Sequence, residues 1–481
     1  MKQLQTVARW CSNFAEPSRA ALLLLSLSVT HCALTDQYFT ASGTGASGTG
    51  GASGSGDSAG SAGVAGGPVA LGGSAGSALP DVCSPTCGEQ QQCCTGECVA
   101  VTTPAHCGSC GNACDAGREC VAGTCSTGWA GMAPPPTGFV GRTFPAHVAM
   151  GRSVFIWGGS DSAGAVLDTG AIYSPATDSW VLLNQTGAPT PRLLATAVWT
   201  GKVVIVLGGV DGGNNLLGDA YAYDPSAKTW TTLPPAQTPR CRALGLWDGT
   251  RAIFWGGTDP NNVPITGADR FDLTNWTTSS TLGAPGPLLG PALGFDGSKL
   301  YVQGGLLNGN ARQDAGFSYA TGADEWAAVN KGLAARSSGF GTWDGTHFVV
   351  WGGRDNANVR NDGKYLSGTT WTSMNAAGAP SARMLFWLRS GWAFAVRPGV
   401  IAIVGGQTSL NGVGTFSTNG ATFDVAANTW QPIANWPSGE THDYGMGVWT
   451  GEELVLWSGR AQPVAAAQQA DATLTGDRLS F

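Results

Sequence analysis

Residues Val154–Trp180 read VFIWGGSDSAGAVLDTGAIYSPATDSW. An apolar run ends in two glycines, a variable loop and an aromatic residue follow, and the stretch ends on a tryptophan. Similar apolar runs that end in a glycine pair recur along the chain at intervals of 48 to 53 residues. The pairs are Gly158-Gly159, Gly208-Gly209, Gly256-Gly257, Gly304-Gly305, Gly352-Gly353 and Gly405-Gly406, with Ser458-Gly459 as a degenerate seventh copy. A period near fifty predicts a repeat architecture.

Each repeat carries further signals of short antiparallel strands. Turns such as Asp248-Gly249 and Asp344-Gly345 stand between two apolar runs, which is the strongest short-range signal of a β-hairpin. An aromatic residue and then a tryptophan follow each glycine pair. The tryptophans are Trp180, Trp230, Trp276, Trp326, Trp371 and Trp430.

Glycine pair, aromatic residue and tryptophan in register resemble the kelch repeat, a four-stranded blade of a β-propeller. The resemblance covers residues 129–481 and implies that the glycines allow close backbone approach and that the tryptophan packs between blades. Trp129 stands in a stretch similar to that of Trp180, yet no glycine pair precedes it. We therefore expect an all-β, seven-bladed propeller over residues 127–481, whose last blade is closed by the N-terminal strand near Trp129. Six blades with a loose end is the alternative.

The N-terminal residues 1–31 are expected to be a signal peptide. Lys2, Arg9 and Arg19 precede an apolar run over residues 20–29, which is too short to span a bilayer. The next residues, up to Cys32, resemble a bacterial lipoprotein box, in which the cysteine is lipidated. His31 departs from the small residue usual before that cysteine, so ordinary secretion is the alternative. In both cases we expect export, to the outer cell surface or periplasm as a lipoprotein or otherwise as a secreted protein.

Residues 32–80 carry the lipidation site and a tether rich in glycine, serine and alanine, which cannot form a core. Residues 81–126 then hold ten cysteines, an even and dense set that predicts five disulfides in an exported chain. These are Cys83, Cys87, Cys93, Cys94, Cys98, Cys107, Cys110, Cys114, Cys120 and Cys125. Zinc is the alternative, because Cys107, Cys110 and Cys114 have ligand-like spacing. The segment resembles the cysteine-rich modules of stigma-specific plant proteins and of exported myxobacterial proteins, which implies a spacer.

An arginine recurs at the start of most inner strands, where a propeller would place it near the mouth of its central channel. These ligand-binding candidates are Arg142, Arg192, Arg240, Arg336 and Arg383, with His442 in the slot of the last repeat. Five guanidinium groups could bind a carboxylate, a sulfate or a uronic acid. The alternative is structural, since kelch repeats resemble one another in carrying this arginine, which would then bond carbonyls of the neighbouring blade.

Catalysis could use His442, Asp443 and Tyr444, together with His147 on the first inner strand, as acid and base groups on a sugar. The copper ligands of galactose oxidase are not recognisable, and N-acetylneuraminate epimerase shares only the generic repeat. We expect no metal and no cofactor.

The charge of −7 and the 12% of charged residues argue against a nucleic-acid partner. A monomeric binding protein for a surface glycan or a protein, held to the membrane only by its lipid, is the expected function. Its contact face would be the channel mouth or the loops 160–168, 210–217, 258–267 and 407–418. A sugar-modifying enzyme of epimerase or mutarotase type and a purely structural surface protein are the alternatives.

Overall fold

The computed structural model describes residues 128–481 except 309–310, 386–390, 411–415, 439–441, 443 and 460–472. On the N-terminal side it describes 87, 91–94, 97–101, 103–107, 109–111, 113, 120–121 and 124–125. The expected signal segment, Cys32 and the tether lie outside these residues. The described residues fall into two compact units, one cysteine-rich and one that begins near Thr127. No helix in the described part of the chain combines the length and the hydropathy needed to cross a membrane.

The cysteine-rich unit contains two short hairpins, Gln91–Cys94 with Glu97–Ala100 and Cys120–Val121 with Thr124–Cys125, and a 3-10 turn at Pro104–His106. Cys87 is bonded to Cys98 and Cys94 to Cys110, and Cys93 and Cys107 are also in disulfides. The zinc alternative is wrong, because Cys107 and Cys110 are both oxidised. Cys83 and Cys114 and the side chains of Cys120 and Cys125 lie outside the described residues.

The described part of the second unit forms seven four-stranded antiparallel sheets, here numbered along the chain. In each of sheets 1 to 6 the four strands follow one another from the inner to the outer edge. Sheets 1 to 3 comprise Ala146–Met150, Ser153–Trp157, Gly170–Ser174 and Ser179–Leu182; Thr196–Trp199, Val204–Leu207, Ala220–Asp224 and Thr229–Leu233; and Leu244–Trp247, Ala252–Trp255, Ala268–Phe271 and Trp276–Thr278.

Sheets 4 to 6 repeat this order. They comprise Ala292–Phe295, Lys299–Gln303, Gly316–Ala320 and Glu325–Val329; Phe340–Trp343, Phe348–Trp351, Gly363–Ser367 and Thr370–Ser373; and Gly391–Arg397, Val400–Gly405, Gly420–Asp424 and Thr429–Ile433. A small sheet of Leu288–Leu289, Leu306–Leu307 and Ala311–Arg312 accompanies sheet 4, and a 3-10 turn, Pro175–Thr177, lies in sheet 1.

Sheet 7 combines strands from the start and from the end of the unit's sequence. Its first three strands are Met446–Trp449, Glu453–Trp457 and Gly476–Ser480, and its outer strand is Gly128–Gly131. Trp129 lies opposite Leu479 in this pairing. The inner strand of sheet 1 lies against the inner strands of both sheet 7 and sheet 2, so the sheets close into a ring. The expected all-β propeller is confirmed.

The glycine pairs lie where two neighbouring sheets meet. A Cβ on Gly208 would stand 2.2 Å from the carbonyl oxygen of Arg240 in the next sheet, and a Cβ on Gly209 would stand 2.6 Å from that of Leu193. Both glycines also have positive φ. The pair is therefore required by close backbone contact as well as by backbone conformation.

The recurrent tryptophans join each sheet to the one before it. Trp230 packs 4.9 Å from Tyr223 of its own sheet and 4.7 Å from Trp157 of sheet 1, measured between ring centroids. Every one of the seven outer-strand indoles also donates an Nε1–H bond to a carbonyl oxygen of the preceding sheet. The bonds are Trp180 to Ala133, Trp230 to Asn184, Trp276 to Pro234, Trp326 to Ser280, Trp371 to Asn330, Trp430 to Asn375 and Trp129 to Ala434.

Candidate functional site at the channel mouth

The mouth is the end of the ring at which the inner strands begin. Two residues after each arginine slot, the chain turns sharply into the inner strand. The residues at this turn form what we call the mouth belt: Phe144, Leu194, Arg242, Gly290, Ser338, Leu385 and Tyr444. All of them except Leu385 have positive φ.

Backbone hydrogen bonds link five pairs of neighbouring members of the mouth belt. The amide of Leu194 donates to the carbonyl of Phe144 at 3.1 Å, and the amide of Leu385 donates to that of Ser338 at 2.8 Å. Equivalent bonds join Phe144 to Tyr444, Arg242 to Leu194 and Ser338 to Gly290. The geometry of the mouth is thus held by main-chain groups, so it does not depend on which side chains the belt residues carry.

The five recurrent arginines lie just outside the belt, and all are at most 3% exposed. Each guanidinium donates to the carbonyl of the first glycine of the pair in its own sheet, at 2.6 to 3.1 Å. The partners are Gly158 for Arg142, Gly208 for Arg192, Gly256 for Arg240, Gly352 for Arg336 and Gly405 for Arg383. The interpretation that these side chains bond carbonyls of a neighbouring blade is wrong, because the side chain folds back onto its own sheet.

The same arginines join neighbouring sheets through their backbone instead. The amide of Gly159 in sheet 1 donates to the carbonyl of Arg192 in sheet 2 at 2.8 Å, and Gly353 donates in the same way to Arg383 at 2.9 Å. One residue therefore secures its own sheet with its side chain and the preceding sheet with its main chain.

The guanidinium groups also bind the start of the third strand of their sheet. Arg192 holds both carboxylate oxygens of Asp219, at 2.7 and 2.8 Å, while Arg142 bonds only the carbonyl and hydroxyl of Thr169. Without a carboxylate partner, burial lowers the pKa of Arg142 to about 9. The pKa of Arg383, which faces Asn419, falls to about 10 for the same reason.

His442 takes the arginine slot in sheet 7 and makes the same kind of contacts. It is fully buried, with Nδ1 2.9 Å from the carbonyl oxygen of Ser458 and Nε2 3.0 Å from a carboxylate oxygen of Asp477. Ser458 stands where the other sheets have the first glycine, and Asp477 lies on the third strand. Both ring nitrogens thus face acceptor oxygens, as the arginine nitrogens do elsewhere.

The other catalytic candidates are separated by their environments. Tyr444 packs 5.0 Å from Phe144 in an apolar cluster of the mouth belt, and Asp443 lies outside the described residues. His147 is 1% exposed on the inner strand of sheet 1, with Nδ1 3.0 Å from the carbonyl oxygen of Pro145. Burial lowers the pKa of His147 to about 4, so this imidazole is neutral at physiological pH.

Sequence reasoning missed the residues directly after the glycine pairs. These positions are Ser160, Val210, Thr258, Leu306, Arg354 and Gln407, and each pairs with the residue that follows the arginine slot of its sheet. Among the described residues, their side chains divide the mouth into two sides; the equivalent residue of sheet 7, Arg460, lies outside the described residues. Val210 joins Leu194 and Tyr444 in the apolar cluster of sheets 7, 1 and 2, whereas Arg354 and Gln407 make the side of sheets 5 and 6 polar. The signal that could have found these residues is that the residue type changes from repeat to repeat at a position whose backbone pairing is the same in each.

Two family models match parts of this chain. Residues 191–237 match the Kelch motif, and residues 77–128 match the stigma-specific STIG1-like protein family. No curated protein matches. Among solved structures, one titled "Structure of YjhT" is similar, with 16% identity and a TM-score of 0.47 over 63% of this chain and 99% of that one. The matched Kelch motif coincides with sheet 2, one of the repeated four-stranded sheets of the propeller fold.

Proposed function

We propose that this protein is an exported binding protein that takes its ligand at the channel mouth. The observation that carries the proposal is the mouth belt. The same main-chain hydrogen bond recurs at five junctions between sheets, while the side chains at equivalent positions differ from sheet to sheet. A rigid scaffold that presents unlike side chains around one opening is the arrangement that selective binding requires.

The loops beyond the glycine pairs support the same proposal. An aspartate two residues after the pair accepts amide hydrogen bonds from its own loop, as Asp211 does from Gly213 and Asn215 at 2.8 and 2.9 Å. Asp161, Asp259 and Asp355 do the same in their sheets. These loops are therefore shaped before any ligand arrives, which lowers the entropy lost on binding.

The contacts of the histidines favour binding over sugar modification. A general acid or base must reach the substrate. Both nitrogens of His442 are engaged by Ser458 and Asp477, and His147 is buried on its strand.

Export is part of the proposal and is supported by the N-terminal sequence. A basic segment, a ten-residue apolar run and Cys32 follow one another as in a lipoprotein signal. The disulfides of the cysteine-rich unit agree with an oxidising compartment.

The test is a screen of neutral and acidic glycans and of cell-surface polymers against the full chain. Val263, 57% exposed in the mouth loop of sheet 3, is changed to glutamate, and Leu273, 49% exposed at the opposite end of that sheet, is the matched control. We expect V263E to weaken binding and L273E to leave it unchanged. A ligand that tolerates V263E but not L273E, or the absence of any saturable ligand, would overturn the proposal.

A further inference from the structure

Arg354 is a partly buried arginine on the polar side of the mouth. It directly follows Gly353, and its backbone pairs with Ser337. Its Nε atom is fully buried and has no hydrogen-bond partner among the described residues. Burial lowers the pKa of this side chain. The carboxylate of Asp355 offsets this lowering in part, but its hydrogen bonds go to Arg360 at 3.2 Å and to two amides of its own loop.

A second guanidinium stands beside it. Arg312, from the small sheet next to sheet 4, donates through Nε to the hydroxyl of Ser337 at 3.2 Å and bonds the side chain of Asn356. Burial and the positive charge of Arg354 both lower the pKa of Arg312, and the carboxylate of Asp355 offsets this only in part. Two like charges held together in a partly buried place are unfavourable unless an anion compensates them.

Gln407 supplies neutral polar groups at the equivalent position of the next sheet. It is 0% exposed, and neither its amide nitrogen nor its amide oxygen has a hydrogen-bond partner among the described residues. A buried polar group left without a partner destabilises the folded state. Sheets 5 and 6 are joined beside it by the bond from Leu385 to Ser338. On this side of the mouth, the Nε of Arg354 and both amide atoms of Gln407 therefore have no hydrogen-bond partner among the described residues.

We propose that Arg312, Arg354 and Gln407 form a subsite for the carboxylate of an acidic sugar, an inference that rests on the proposed function and specifies its ligand. Planar guanidinium groups match a planar carboxylate. The Gln407 amide, with a donor and an acceptor, matches a sugar hydroxyl, which is also both. Among the described residues of sheets 7, 1 and 2, the mouth is instead lined by the apolar cluster of Leu194, Val210 and Tyr444.

Titration calorimetry of the full chain with glucuronate tests the subsite, with glucose and inorganic sulfate as parallel probes. We expect glucuronate to bind, glucose and sulfate to bind at least tenfold more weakly, and R312Q and R354Q each to weaken glucuronate at least tenfold. R397Q is the matched control, because Arg397 is 67% exposed at the far end of the inner strand of sheet 6.

Gln407→Leu separates binding from folding. It removes an amide without partners, so the variant should melt at a higher temperature than the wild type while binding glucuronate more weakly. A Q407L protein that melts lower and binds normally would overturn the role of Gln407. Unchanged affinity in R312Q and R354Q, or equal affinity for glucose or for sulfate, would overturn the subsite. The proposed function would still stand if another ligand responded to V263E.

Discussion

The indole nitrogen of Trp129 donates a hydrogen bond to the carbonyl oxygen of Ala434, 305 residues further along the chain, at 2.8 Å. The same ring lies 5.6 Å from that of Trp436. Six other indoles make the equivalent bond within the continuous run of sheets. Trp129 differs because its strand comes from the start of the unit's sequence and pairs with Gly476–Ser480, which comes from the end of that sequence.

Replacing this indole should loosen the closing sheet. W129A loses ring packing and a hydrogen bond, and we expect the free energy of unfolding to fall by about 3 kcal/mol. Amides of Gly476–Ser480 should also exchange with solvent faster. W276A is the matched control, since Trp276 is also partly buried and bonds Pro234. Equal exchange of the Gly476–Ser480 amides in both variants would contradict a special role for Trp129.

Two alanine substitutions can test why the first glycine of the pair is required. Both place a Cβ on backbone with positive φ, but only one of them brings that Cβ against a neighbouring sheet. Gly208 and Gly249 have φ of 67° and 91°, yet only Gly208 faces a backbone oxygen, while nothing lies within 4 Å of the Cβ position at Gly249. G249A should cost roughly 1–2 kcal/mol. G208A should cost about 1–3 kcal/mol more, because the next sheet must move away. Urea unfolding measures both, and equal losses would refute the close-contact explanation.

His442 is expected to stabilise the fold as the arginines do. H442A leaves the carboxylate of Asp477 buried with less compensation, and we expect a loss of about 3 kcal/mol in the free energy of unfolding. H442R should recover part of that loss, since Arg240 already pairs with Asp269 at the matching position of sheet 3. Thermal denaturation gives both values. A fully stable H442A protein would reopen the catalytic interpretation of this residue.

His147 should make stability depend on pH. The pKa of its buried imidazole is about 4, whereas the unfolded chain binds the proton near 6.5. Between these values the unfolded state holds more protons, so stability is retained above pH 6.5 and falls as the pH drops toward 4. The loss should be on the order of 3 kcal/mol. In H147Q this part of the pH dependence should disappear, as measured by urea unfolding from pH 7 to 4. An unchanged slope would exclude His147 as its source.

Much of the fold follows from local patterns in the sequence. The glycine pairs and tryptophans predict strands, sheet contacts and the role of the strand near Trp129. They can do so because close backbone approach requires glycine and packing between sheets requires an indole, so the same residue types recur in each repeat. Spacing alone could not show which carbonyl each arginine bonds, since that depends on how a long side chain folds. The slot shared by His442 and the arginines was visible, but its structural meaning required the contacts with Ser458 and Asp477.

The roles of Arg354 and Gln407 were not predictable, because an arginine or a glutamine in the sequence gives no sign that its side chain will be buried without a partner. Both break the repeat rather than follow it. Only the position after the glycine pair, repeated in backbone and varied in side chain, points to them.

Gly128–Gly131 and Gly476–Ser480 are neighbours in one sheet, although they lie far apart in the sequence. The sheet in which the covalent chain of the ring is broken is therefore set by the order of the sequence and not by the fold. A circular permutant that links these strands and opens at the Asp248-Gly249 hairpin should assemble the same ring, with its seam moved to sheet 3.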